Sequence, residues 1–577
     1  MWRQSLGWVG IALGAGALAL SAGGCGSSSS SGSPGGSGGS GGNGGNGGSS
    51  NGGKTGTTVG PSGTPPKTCD AAPGGSSGAV QKPTLDKTLA ASWDENWFAS
   101  PALVDITGDG KPDIIAARHS VLYAWKNDGT PLWHTAWNYS ASNSPDHGGS
   151  RMWASPVVGD FKGDGNIEIA VGSDADSSSN VNVAVYDSKG ELLPNWPQHF
   201  GGSDEVRSIT AADVDGDGQM EILVNKTSKG PTTAVYELDG TMHPNWPQVN
   251  SSCDPPPPAE ACWDFGGYNQ NIGAGDLDGD GVADVISAYD AIGFGVFKGD
   301  GTPFPTASAF TDRVITAVEA YNSLKLSEQG WGDGSRSEFT DSPPIIADIT
   351  NSGKHQIVLV GNHESSSSTT SQGKTVWVLN SDMTRPSGWG APKNTGKPLK
   401  PKLSNNMVST EPSPSVADLD GKPGLEIVVP ASDGKMYAYR SNGTLLWTYT
   451  FGTASSPYIG ASEALIVDLN GDGKPEIIFD TYSSGAPRKP DRPAHLIILT
   501  GYGKQLFKLP LSGRGSMAPP SIADLDNNGK LELVVSLKDT LGGSKGGVQI
   551  WNLPGATDNC VLWGTGRGDW LRDGYVK

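Results

Sequence analysis

Basic residues are in short supply. The chain carries 41 lysines and arginines against 60 aspartates and glutamates, a net charge of −19. A duplex-binding surface needs clustered Lys and Arg to meet phosphate, so nucleic acid is excluded as a partner. Cysteine is scarce as well, five in 577 residues. One close pair, Cys253 and Cys262, has no second pair beside it to complete a zinc site. No G-x-S-x-G elbow, H-E-x-x-H or P-loop pattern occurs. The longest apolar stretch, Leu6 to Leu20, is broken by glycines and falls short of the roughly 20 apolar residues that span a bilayer.

What is present begins with an export signal over residues 1–24: Arg3, the apolar stretch, then Ser21-Ala-Gly-Gly before Cys25. It resembles a bacterial lipoprotein signal, with Ala22 where Leu is commoner. The resemblance implies lipid on Cys25, a membrane anchor, and a place on the bacterial outer membrane or cell surface; a plain secretory signal and a secreted protein is the alternative. Residues 25–87 read as a linker. From Gly26 to about Pro66 the chain is almost wholly Gly, Ser and Asn, with nothing to bury, and is expected to be disordered. Some forty such residues reach on the order of 35 Å. The folded domain is expected over 88–577.

That domain is organised by a nine-residue pattern with oxygen donors at alternate positions, as a hard cation such as calcium requires. Its cleanest copy has Asp213, Asp215 and Asp217 at positions one, three and five, the backbone carbonyl of Gln219 at seven and Glu221 at nine. Asp276, Asp278, Asp280, Val282 and Asp284 repeat it. So do Asp468, Asn470, Asp472, Lys474 and Glu476, then Asp105, Thr107, Asp109, Lys111 and Asp113, and then Asp524, Asp526, Asn528, Lys530 and Glu532. Three further copies are eroded: Asp160 with Lys162, Asp348 with Thr350 and Gln356, and Asp418 with Lys422. Five of eight loops are therefore expected to hold metal. Without it, each like-charge pair at about 4 Å costs ~1 kcal/mol in bulk water and up to ~4 kcal/mol near a protein surface.

An EF-hand is excluded, since its loop runs to position twelve between helices. Here β-formers follow at once, as in Ile222 to Val224 and Ile427 to Val429, and Ser155-Pro-Val-Val or Ser413-Pro-Ser-Val leads in. A second hairpin follows in most units, turning at Asn127-Asp-Gly129, Lys189-Gly190, Asp239-Gly240 or Asn442-Gly443. Each unit thus offers four short strands, and the leading aspartates recur every 50 to 72 residues, which fits propeller blades. The loops with their flanking strands resemble the FG-GAP/VCBS repeat proteins, a family that includes the N-terminal propeller of integrin α subunits. The resemblance covers about residues 90–577. It implies an all-β fold, a β-propeller of four-stranded blades, eight or alternatively seven, with about five calcium sites in loops on one rim.

Setting Cys25 aside leaves four cysteines. Cys253 and Cys262 bracket a proline-rich loop and are expected to form a local disulfide; Cys69 and Cys560 lie near the two ends of the folded region, which a propeller brings together, and are expected to form a second disulfide that closes it. Trp133, Trp196, Trp246, Trp447 and Trp563 recur near blade ends and read as packing between blades rather than a carbohydrate surface. Trp93, Trp97 and Trp153 stand apart from that set. His147 to Arg151, beside Asp146, is a weak candidate for acid–base chemistry. The function expected is a cell-surface binding or adhesion module, without catalysis, for a protein or carbohydrate ligand. The alternatives are a calcium-dependent polysaccharide lyase-like enzyme and a quinoprotein-like propeller. The second is disfavoured because no two cysteines are adjacent.

Overall fold

The computed structural model describes residues 69–71, 78–89, 91, 95–174, 181–201, 204–227, 231–248, 267, 269–288, 293–307, 314–316, 335–339, 342–365, 368–399, 413–455, 459–483, 493–539, 546–558 and 560–576. The chain divides into two units, Met1–Thr55 and Gly56–Lys577; every described residue belongs to the second. Export signal, Cys25, Cys253, Cys262 and Trp93 lie outside the described residues.

Among the described residues, eight sheets follow one another along the chain as the blades of a propeller. The first is typical, with strands Ala102–Val104, Asp113–Arg118, Val121–Trp125 and Pro131–Ala136 paired antiparallel in that order. The second strand is buried along its whole length in nearly every blade. Its side chains alternate between two neighbours, as a period of two dictates. In the third blade Ile222 and Val224 pack with Phe161 and Val185 of the second, while Leu223 packs with Val285 and Phe297 of the fourth. Each such apolar side chain contributes about 1.5–3 kcal/mol, so the inter-blade seams are the core.

The Asp348 unit, the weakest repeat, is a complete blade (Ile345–Ala347, Gln356–Ser365, Ser368–Asn380, Lys393–Asn394), and the ring has the eight blades expected. Other features depart from the sequence reading for physical reasons. Among the described residues, the second and third blades have three strands. Where an outer strand was expected, each carries Pro194-Asn-Trp-Pro-Gln198 or its copy Pro244-Asn-Trp-Pro-Gln248, and prolines cannot donate to a ladder; only isolated bridges such as Val183 to Gln198 and Thr233 to Gln248 survive. The eighth blade takes its outer strand, Thr84–Leu89, from the start of the chain, paired with Val548–Asn552. That strand begins four residues ahead of the boundary at 88, and it closes the ring.

The C-terminal segment runs inside the ring of inner strands. Val561–Trp563 pairs with Leu465–Val467 of the seventh blade, and Tyr575–Val576 pairs in parallel with Ile345–Ala347 of the fifth. Between them, carbonyls of Gly564, Trp570, Leu571 and Asp573 accept from Ile522, Val158, Ala211 and Ala274, on the eighth, second, third and fourth blades. Arg572, fully buried, donates to Pro101 O of the first blade at 3.0 Å. The inner edges would otherwise present unpaired N–H groups, which are costly when buried. Cys560 opens this segment and is joined by a disulfide to Cys69, Cα to Cα 5.6 Å. The N-terminal strand closes the eighth blade, the C-terminal segment ties the inner strands together, and the disulfide joins the two ends of the fold.

Candidate metal centres in the acidic loops

All eight loops join the inner strand of a blade to its second strand, so they stand at the same end of every blade. They share one scaffold. The leading aspartate turns its carboxylate back on the loop's own backbone. Asp213 accepts from Gly216 N at 2.6 Å and Gly218 N at 3.1 Å, and Asp276 from Gly279 N at 2.6 Å and Gly281 N at 2.9 Å. Gly216 and Gly218 adopt φ of +78° and +89°, a region that favours glycine. The ninth residue spends one oxygen on the N–H of the second: Glu221 on Val214, Asp284 on Leu277, Glu426 on Leu419, Glu476 on Leu469 and Glu532 on Leu525. This draws the second residue's apolar side chain inward; Val214, Leu277, Leu419, Leu469 and Leu525 are all buried. The sequence reading gave that position no role, although it is apolar in every copy.

With one oxygen so committed, the ninth residue turns the other toward the donors at positions one to five. Ligand oxygens of Asp213, Asp215 and Glu221 lie within 4.8 Å of one another, as do those of Asp276, Asp278 and Asp280, and those of Asp524, Asp526 and Glu532. Asp418, Asp420 and Glu426 of a loop read as eroded gather equally closely. In the Asp105 loop, Asp113 is fully buried; its Oδ2 accepts from Ile106 and Thr107, and its Oδ1 has no partner. Burial pushes the Asp113 carboxyl up to about 6 and those of Glu221 and Glu476 up to about 8. An orphaned buried oxygen beside further carboxylates is the donor set of a hard divalent cation, and the residues present fit calcium. A bound ion would neutralise the carboxylates and tie the ends of two strands together.

Elsewhere the protein supplies its own donor. In the Asp160 loop Lys162 Nζ lies 2.9 Å from Glu168 Oε1. In the Asp348 loop Gln356 Nε2 donates to Ser352 Oγ and, at 2.6 Å, to Lys354 O, the carbonyl at position seven. In the Asp418 loop Lys422 and Arg440 both reach Asp420 Oδ2, at 2.8 and 3.2 Å. The Asp276 loop, complete by sequence, holds Lys298 Nζ 2.6 Å from Asp278, 3.0 Å from Asp280 and 3.3 Å from Asp284. The Asp468 loop is covered instead. Asp468 is fully buried, and Asn470 Nδ2 donates to Gly78 O of the N-terminal arm at 2.8 Å.

The other sequence candidates fall into place as structure. Indole N–H groups of Trp133, Trp196, Trp246 and Trp447 each donate to a turn carbonyl of the following blade, Ser188, Leu238, Gly299 and Gly501. Trp389, unnoticed in the sequence, does the same to Ser441. Gly190 and Gly503 leave room for the ring, since a Cβ there would lie under 3 Å from Trp133 or Trp447. Trp563 instead donates to buried Glu463. Arg151 pairs with Asp174 and Glu205 rather than with Asp146. Trp97 and Trp153 pack together under the cations of Lys538 and Arg207.

Fold and loops define an eight-bladed β-propeller with acidic loops at one end of its blades. Two stretches, residues 105–171 and 160–224, match the model of the FG-GAP-like repeat. No curated protein sequence matches the chain. Among solved structures it is similar to the Vibrio cholerae biofilm matrix protein Bap1 at 16% identity, covering 83% of this chain and 92% of that one, with a TM-score of 0.39. It is also similar to BamB from Moraxella catarrhalis (12%, 82% and 98%, TM-score 0.42) and to the rhamnogalacturonan lyase YesW (16%, 85% and 84%, TM-score 0.45).

Proposed function

We propose that the chain is an exported, lipid-anchored binding module of the cell surface, with a propeller held rigid by structural calcium. The observation that carries the calcium reading is Asp113 Oδ1, buried and unpartnered in its acidic loop. Such an atom costs about 1–3 kcal/mol to leave unsatisfied, and a divalent cation removes the cost. The binding role rests on closure: with the ring fastened and its inner edges paired, connections between strands are the surface left to vary for a protein or carbohydrate ligand. The anchor rests on Cys25 after the small-residue run Ser21 to Gly24, and on the Gly/Ser/Asn linker that would hold the propeller away from the membrane. Labelling cells with a tagged fatty acid should mark the natural protein and not Cys25→Ser; equal labelling sinks the anchor. Metal analysis of the full chain after gel filtration should find bound calcium, and finding none sinks the calcium reading.

A further inference from the structure

One residue outside the loop motif sets the charge each loop sees. In the hairpin of the second and third strands, register places a particular residue opposite the ninth position. It is Thr500 opposite Glu476 and Asn552 opposite Glu532; one place beyond the last paired residues, the same register brings Lys298 to Asp284, Glu237 to Glu221, Lys126 to Asp113 and Arg440 to Glu426. The side chain emerges toward the loop because both belong to the same end of one blade. In the fourth blade the Lys298 ammonium touches donors three, five and nine together, the point on which the ligands of a bound ion would converge. In the third blade Glu237 adds a carboxylate and is itself turned to His243 Nδ1 at 2.6 Å. In the first, Lys126 reaches only Asp109, at 3.0 Å, and leaves Asp113 Oδ1 unpartnered.

We propose that Lys298 is the resident counter-cation of the fourth loop, which therefore takes no divalent ion despite its complete motif. A cross-strand cation thus blocks a loop only where, like Lys298 and unlike Lys126, it reaches donors three, five and nine together. The inference rests on the calcium reading above. An incoming ion would have to break three ion pairs and then meet an ammonium of like charge on a side chain with few other places to go. The same stem crosses the ring of Phe304, with Nζ 5.1 Å from its centroid, which holds the amine in position.

The test is a count of calcium per full-length chain, by elemental analysis after chelation, return to calcium and gel filtration. Asp278→Ala should leave the natural count unchanged. Lys298→Gln should raise it by one, and adding Asp278→Ala to Lys298→Gln should cancel the gain. Glu237→Lys should lower the count by one, an arm that stands if Lys298→Gln does not fold. A count that falls with Asp278→Ala alone, or one unmoved by Glu237→Lys, overturns the proposal and leaves the calcium reading in place. A natural count of zero sinks the calcium reading and this inference with it.

Discussion

The third and fourth blades carry nearly the same loop. Asp213, Asp215, Asp217 and Glu221 stand where Asp276, Asp278, Asp280 and Asp284 stand, with an apolar second residue, Val214 or Leu277, and two turning glycines in each. Their electrostatics differ. Around Glu221 the charges are all negative, and its carboxyl is pushed up to about 8, by burial first and then by Asp215, Glu237 and Asp213. Around Asp284 a lysine supplies the compensation, and the carboxyl rises to about 7, again through burial, with Lys298 pulling it back. The two loops are alike, and the residue on the neighbouring strand, Lys298 in one and Glu237 in the other, sets their charge apart.

The largest effect that could break this comparison is chelation. A loop occupied a hundredfold above its dissociation constant adds about 2.7 kcal/mol of stability. Removing calcium should lower the melting temperature by several degrees, and returning it should restore the fold. Asp213→Ala should shrink that calcium-dependent shift, whereas Asp276→Ala should lower stability by the same amount with calcium and without it. Thermal unfolding at constant ionic strength decides the matter, and an equal calcium dependence in both variants would erase the distinction.

A smaller effect concerns Lys298 itself. In chelator, Lys298→Gln leaves three carboxylates without their partner and should cost about 1–3 kcal/mol. With calcium present the loss should disappear, because the vacated loop can now take an ion. A loss of the same size under both conditions would make Lys298 a packing residue only.

A further effect is the pH dependence of the chelated protein. Glu221 ordinarily titrates near 4.5 and is raised to about 8, so the folded state keeps a proton that the unfolded state has released. Its stability contribution is present at low pH and declines as pH rises from about 4.5 to about 8. Glu476 adds to the same slope. Melting temperatures of the metal-free protein should fall between about pH 5 and about pH 8, and calcium should flatten the decline. A rising curve in chelator would contradict the burial of these carboxylates.

Much of this architecture could be read from the residues alone. Eight acidic loops in register, each followed by a β-branched run, specify strand, loop, strand, and the glycine turns specify the second hairpin. The blade around Asp348 showed that loop chemistry can decay while the strands persist: Gln356 keeps the backbone contact to Thr350 that an acid makes elsewhere. Other features were hidden for physical reasons. The strand Thr84–Leu89 pairs with a partner more than 450 residues away, and nothing local announces such a contact. The C-terminal segment holds its place through backbone carbonyls, which carry no sequence signature. Lys298, by contrast, was legible. It lies three residues before the turn glycine Gly301, as Lys126 lies before Gly129, Arg440 before Gly443 and Glu237 before Gly240. Reading that offset beside each loop would have separated the Asp276 loop from the Asp213 loop.

The most direct test of the account is an anomalous difference map from crystals of the protein grown in calcium. The account predicts peaks inside the loops that begin at Asp105, Asp213, Asp468 and Asp524, and none among Asp276, Asp278 and Asp280, where Lys298 remains in contact. A peak in the Asp276 loop with Lys298 swung away, or no peak in any of the eight, would contradict it.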